Sequence, residues 1–256
     1  MKQLIAFFKK ECMEVIRSSK FMLIIILGVV FGIMNPAIAK LTPVLMEFAS
    51  ESLSEAGIVV TEVEVNAMTS WTQFYKNVPI LMIAFLFIFS SIMTIEYQRG
   101  TLINMVTKGL DRWKIVISKM AVTFILWTLM YWMCFGITYG YNAFFWDNSI
   151  VSNAVFGALC IYVLGIWLIT LIILMSTIVS ANTTVALLTG GVFGIFYLAG
   201  MVQRIEKYLP TKLAGVGELL NITTGAGDFY ISVIVCIVLS IVNISVAVLL
   251  FNKKNL

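Results

Sequence analysis

The chain has 256 residues, of which 61% are apolar and only 12% charged, with a mean hydropathy of +1.00 and a net charge of +4. A water-soluble domain carries about 25% charged residues, so a surface this poor in charge excludes a dispersed soluble protein. The chain contains no histidine, which disfavours His-Glu-x-x-His zinc proteases, Ser–His dyads and haem-carrying spans with histidine ligands.

The first twenty residues read as a helix. Leu4, Ile5, Phe8, Cys12, Val15 and Ile16 recur at helical spacing, while Lys2, Lys9, Lys10 and Arg17 occupy much of the remaining surface. This pattern predicts a helix lying in the membrane interface rather than a plain basic flank, because the apolar stripe continues over several turns. No cleavable signal peptide is expected, since the first apolar run follows residues of mixed charge and is of full span length.

Uncharged stretches then run over Phe21–Ala39, Asn77–Ile95, Met120–Trp146, Asn148–Gln203 and Phe229–Asn252. A helix needs about 20 apolar residues to cross about 30 Å of hydrocarbon. The fourth stretch is too long for one helix and fits two, broken at Ser180-Ala-Asn-Thr-Thr184. The sequence therefore predicts one all-α integral membrane domain with six spans, 21–39, 77–95, 120–142, 154–178, 184–203 and 229–251. Three small-xxx-small pairs inside them, Gly28/Gly32, Gly136/Gly140 and Gly190/Gly194, support a closely packed bundle. Asn35, Thr94, Asn182 and Asn243 read as groups that hold helices together or mark span ends, and no charge is expected deep in a span. The four cysteines, Cys12, Cys134, Cys160 and Cys236, lack metal or redox spacing and read as small buried side chains.

With an even number of spans, both termini lie on one side. Twelve Lys and Arg residues fall on that side, in 1–20, 96–119 and the C-terminus, against five on the other: Lys40, Lys76, Arg204, Lys207 and Lys212. The positive-inside rule makes the termini cytoplasmic. The basic residues then face anionic lipid and cytoplasmic partners, and give no ground for nucleic-acid binding. On the outer side, Glu47, Glu51, Glu55, Glu62 and Glu64 make the first loop acidic, and Ile58–Val65 alternates weakly like a short strand. The segment Gln203–Asp228 is broken by Pro210 and several glycines into half-apolar pieces. Such pieces enter a membrane only where protein or water satisfies their backbone, so a short helical hairpin over the outer mouth is expected, with a plain surface loop as the alternative.

The cytoplasmic connection 96–119 is the informative stretch. Gly100 and Gly109 punctuate it, Leu102, Ile103 and Val106 form a short apolar face, and Lys108 and Arg112 add positive charge. A solvated basic loop would explain the charges but not the apolar face, which is what docking of a soluble partner requires. No G-x-x-x-x-G-K-[ST] loop exists, Gly225-Ala-Gly-Asp228 lacking both lysine and length. Catalysis, a bound cofactor and a metal site are not expected in this chain.

These features resemble the ATP-binding-cassette (ABC) type-2 permeases, the membrane subunits of a class of exporters. Phe7-Phe-Lys-Lys-Glu-Cys-Met-Glu-Val-Ile-Arg17, with Phe8, Lys9, Lys10, Glu11 and Arg17 at its heart, looks like that family's elbow helix. Glu96-x-x-Arg99-Gly100-Thr101, continued by Leu102, Ile103, Val106, Lys108, Gly109 and Arg112, looks like its coupling region. Six spans with a broken, re-entrant outer segment before the last match its layout. The resemblance implies a bacterial plasma-membrane exporter subunit that works as two copies, or with a homologue, alongside a separate ABC ATPase that supplies ATP and Mg. In size and style it is similar to permeases for bacteriocin immunity, peptide-antibiotic resistance and cytolytic-peptide export in Gram-positive bacteria. The implied cargo is a hydrophobic or amphipathic peptide, drug or lipid. Aromatics (Phe85, Phe87, Phe89, Trp127, Tyr131, Trp132, Phe135) and methionines (Met82, Met93, Met130, Met133) would suit a greasy lining, or equally lipid-facing bulk. The rival readings are a membrane scaffold that transports nothing and a channel or secondary carrier working alone.

Overall fold

A computed structural model describes residues 2–55, 65–151, 153–220 and 225–254. Among the described residues every regular element is helical. The order is α1 (Lys2–Arg17), α2 (Ser19–Glu55), α3 (Ala67–Phe89), α4 (Thr94–Gln98), α5 (Thr101–Thr107), α6 (Arg112–Phe145), α7 (Ala154–Ile178), α8 (Asn182–Ala199), α9 (Gln203–Glu206) and α10 (Tyr230–Lys253). Short 3₁₀ runs cover Asn148–Ile150, Pro210–Leu220 and Ala226–Phe229.

Among the described residues, six helical stretches are long and apolar enough to cross a membrane: Ser19–Val44, Ala67–Gln98, Arg112–Phe145, Ala154–Ile178, Asn182–Ala199 and Ala226–Lys253. They carry the six expected spans, but three helices extend well beyond the uncharged stretches. α3 starts ten residues before position 77, at an N-cap where Asn66 Oδ1 accepts from the Thr69 backbone N–H at 3.2 Å. α6 starts at Arg112 instead of 120, and α2 runs on to Glu55. Charge limits how deep a residue sits in hydrocarbon, whereas helix propensity continues outside it. Of the Ile58–Val65 strand reading, all but Val65 lies outside the described residues, and Val65 belongs to no regular element.

Local chemistry places the breaks. Ser18 separates α1 from α2, its Oγ donating to the Val15 carbonyl at 2.7 Å. The polar run at 180–184 lies at the boundary between α7 and α8, as expected. Gly100 and Gly109 flank α5 with φ of +65° and +85°, a left-handed backbone that glycine adopts without a Cβ penalty.

α7 is the most enclosed span, with 67% of its apolar window buried, and α8 the least, with 17%. An aromatic column joins α3 to α6. Phe85 stacks on Phe89 at 4.4 Å, meets Trp127 edge-on at 5.3 Å, and Trp127 contacts Tyr131 at 5.3 Å. Between α8 and α10 the chain breaks into α9 and two 3₁₀ runs. The Pro210–Leu220 run sends Leu213, Val216, Leu219 and Leu220 inward, and Thr211 Oγ1 donates to the Phe196 carbonyl at 2.9 Å.

Only one small-residue pair is used within the chain. Gly28 and Gly32 let α2 lie on α6: a Cβ at Gly28 would stand 3.0 Å from the Met130 carbonyl, and one at Gly32 2.8 Å from Ile137 Cβ. Gly136 and Gly140 face open space. Along the same seam Asn77 donates to Asn35 Oδ1 at 2.8 Å, and Asn35 Nδ2 to Thr138 Oγ1 at 3.0 Å. Thr138 in turn donates to the Gly32 carbonyl at 3.1 Å. Asn142, one turn beyond Thr138 on α6, is fully buried with neither amide atom bonded. An unmet buried polar group costs about 1–3 kcal/mol. Asn142→Leu is therefore expected to raise the unfolding temperature of the purified protein, whereas Asn35→Leu, which removes the acceptor of Asn77 and a donor to Thr138, should lower it. Calorimetry in one detergent checks both.

Candidate functional site

The connection between α3 and α6 is anchored by a buried ionic cluster. Glu11 of α1, Glu96 of α4 and Lys119 of α6 have side chains only 3%, 6% and 2% exposed. Lys119 Nζ lies 2.9 Å from Glu11 Oε2 and 2.8 Å from Glu96 Oε2. The first contact is a hydrogen bond; the second approach is too oblique for one and acts as a Coulombic contact. Lys10 closes the group from its rim, at 2.9 Å from Glu11 Oε1, 2.7 Å from Glu96 Oε1 and 2.7 Å from Glu14 Oε2. Burial by itself lowers the Lys10 pKa, but Glu14, Glu96 and Glu11 outweigh it and hold the ammonium above its ordinary range. Glu14 responds in the opposite sense: burial raises its pKa, Lys10 lowers it, and the net is downward. Carboxylate oxygens of Glu11, Glu14 and Glu96 come within 4.8 Å of one another. Two lysine ammoniums already supply the positive charge a cation would bring.

Lys119 sits inside α6, one residue before the expected 120–142 span, on the stripe that buries Ile115, Val116 and Val122, and Glu11 sits between the buried Phe7 and Val15. The readable signal was a charge at period four within an apolar stripe, present on both helices.

Around this anchor the expected coupling residues divide. Glu96 is paired, but with Lys10 and Lys119; Arg99 is exposed and makes no ion pair with it. Gly100 and Gly109 set the ends of α5, and Thr101 Oγ1 donates to the Glu96 carbonyl at 3.4 Å. Leu102 is 1% exposed and belongs to the chain's own core, so it is no part of an outward apolar face. Val106 packs partly against that core, whereas Ile103 is 46% exposed and Lys108 is exposed. Arg112 reaches away from α5 altogether. Its Nη1 donates to the carbonyls of Phe251 and Asn252 at 3.2 Å each, and of Lys254, meeting the unpaired carbonyls at the C-terminus of α10.

Lys254 Nζ donates to the Thr177 carbonyl at 2.8 Å and lies 4.1 Å from the centroid of the Tyr97 ring. Burial depresses its pKa. The end of α10 is thus tied to α4, α6 and α7 beside the connection between α3 and α6. In α1, Phe8 is partly buried and Lys10 and Glu11 turn inward, while Lys9 and Arg17 are exposed.

A second feature faces sideways. α3, α7, α8 and the Pro210–Leu220 run enclose an open groove of about 1390 Å³. Its walls are apolar, with Met82, Ile83, Leu86 and Phe87 from α3 opposite Leu187, Gly190, Gly191 and Gly194 from α8. Ser90, Ser91 and Asn182 lie at one end and Glu206 and Lys212, 3.9 Å apart, at the other. Of the aromatics and methionines considered as a lining, only Phe87 and Met82 reach it. Phe85, Phe89, Trp127, Tyr131 and Met130 are core. Across a wider set of proteins, no family model matches this chain and no curated sequence matches it.

Proposed function

We propose that this chain is the permease subunit of an ABC exporter, moving an amphipathic peptide, drug or lipid outward with ATP hydrolysed by a separate ATPase. The observation that carries this reading is the buried Glu11–Lys10–Glu96–Lys119 cluster, which makes α1, α4 and α6 one rigid base beneath the exposed knob of α5. A knob moves helices only through a contact whose energy differs between the two states of its partner, and it transmits that difference only if its base does not yield. A scaffold needs no such base, and a lone carrier needs no knob.

In this reading α1 is an elbow helix in the cytoplasmic leaflet, α5 is the coupling helix, and the outer 3₁₀ run is a re-entrant cover. The groove between α3 and α8 is half of a pathway that a second copy or a homologue completes. The termini are cytoplasmic and the membrane is the bacterial plasma membrane. ATP and Mg bind the ATPase, and no cofactor is held here.

The test is to look for an ABC ATPase encoded beside this chain and to co-express the two. The pair should co-purify and show ATPase activity that a hydrophobic peptide stimulates, while this chain alone binds no nucleotide. Tight ATP binding by the isolated chain, or no association with any such ATPase, overturns the reading.

A further inference from the structure

α1 sorts its charges by face. Both of its carboxylates are paired, Glu11 buried against Lys10 and Lys119, and Glu14, half exposed, with Lys10. Lys2, Lys9 and Arg17 are exposed on the other side, and among the described residues none of them makes an ion pair. Between and beside these cations stand Ile5, Met13 and Ile16, 64%, 42% and 61% exposed. At 100° per residue, Ile5, Lys9 and Ile16 fall within one narrow arc, with Lys2, Met13 and Arg17 continuing it around the helix. The outward face is therefore cationic and apolar at once, with no acid of its own.

The positive-inside rule requires basic residues near the first span but says nothing about which side of a helix they take. Nor does it call for isoleucines among them. An apolar edge set in a row of unpaired cations is complementary to a surface that is hydrocarbon below and anionic above.

We infer that the outward face of α1 binds the phosphate groups of anionic lipids, with Lys2, Lys9 and Arg17 on separate headgroups and Ile5 and Ile16 against the acyl chains. The inference rests on the proposed cytoplasmic placement of α1, but not on an ATPase or a cargo. The two faces then do different work: the inner one fixes α1 to α6, and the outer one makes its docking sensitive to lipid charge.

Hydrogen exchange of residues 2–17 in the full-length protein tests this, with the chain reconstituted in phosphatidylcholine bilayers and in bilayers containing phosphatidylglycerol. Protection is expected to rise several-fold with phosphatidylglycerol and to fall back in about 1 M salt, where the Debye length shrinks to about 3 Å. In the triple variant Lys2→Gln, Lys9→Gln, Arg17→Gln the increment should vanish while protection in the neutral bilayer stays, because the Glu11–Lys119 pair is untouched. Free inorganic phosphate added to the neutral bilayer should not reproduce the increment. Equal protection in both bilayers, an increment that survives the triple substitution, or one that free phosphate reproduces would each overturn the proposal. Failure of the chain to associate with an ATPase would leave this result standing, so the two readings fail separately.

Discussion

Lys119→Met is expected to destabilise the protein by about 3–5 kcal/mol, the usual loss when one partner of a buried ion pair is removed. The Lys119 ammonium is the link between Glu11 and Glu96, two carboxylates that are themselves buried. Without it, two negative charges from different helices face each other with only the rim group Lys10 between them. Thermal unfolding should show the loss, together with faster proteolysis at Ser18 as α1 comes away from α6. The triple variant Lys119→Met, Glu11→Gln, Glu96→Gln should recover much of the stability, since neutral amides bury at far lower cost than unpaired carboxylates. If the single variant is as stable as the wild type, the cluster does not hold α1 in place.

The second large effect separates two neighbours on α5. Leu102→Asp should prevent stable folding, because the new carboxylate would have to enter a core site only 1% exposed. Ile103→Asp should fold normally, since that side chain is already 46% exposed, yet lose co-purification with the ATPase. Circular dichroism and pull-down measured on both variants give the answer. An Ile103→Asp protein that still associates and transports would make α5 a connection and nothing more.

This pair also shows where sequence reading stops. The six spans were legible because hydrocarbon tolerates almost no charge, so each gap between charges long enough to cross marked a helix. The flanking glycines of α5 were legible for a similar reason, since a left-handed turn favours that residue. Which side of α5 faces the chain was not. Leu102 and Ile103 are equally apolar, and the packing of distant helices decides between them. The partners of Glu96 were hidden for the same reason: Lys10 and Lys119 lie 86 and 23 positions away, while Arg99, the near neighbour, points elsewhere. The roles of Arg112 and Lys254 depend on helix ends, whose free carbonyls have no sequence signature. Asn35 was read as a group joining helices, and it does so, but its partners Asn77 and Thr138 emerge only from the close approach that Gly32 permits.

The cluster also dictates an order of assembly. α1 is made before α6, so the lysine that neutralises Glu11 arrives 108 residues after it. Until then Glu11 has only its neighbour Lys10, and the unfinished α1 remains where water still reaches its carboxylates. Closure must wait for α6, so a chain interrupted before residue 119 carries an α1 that cannot lock.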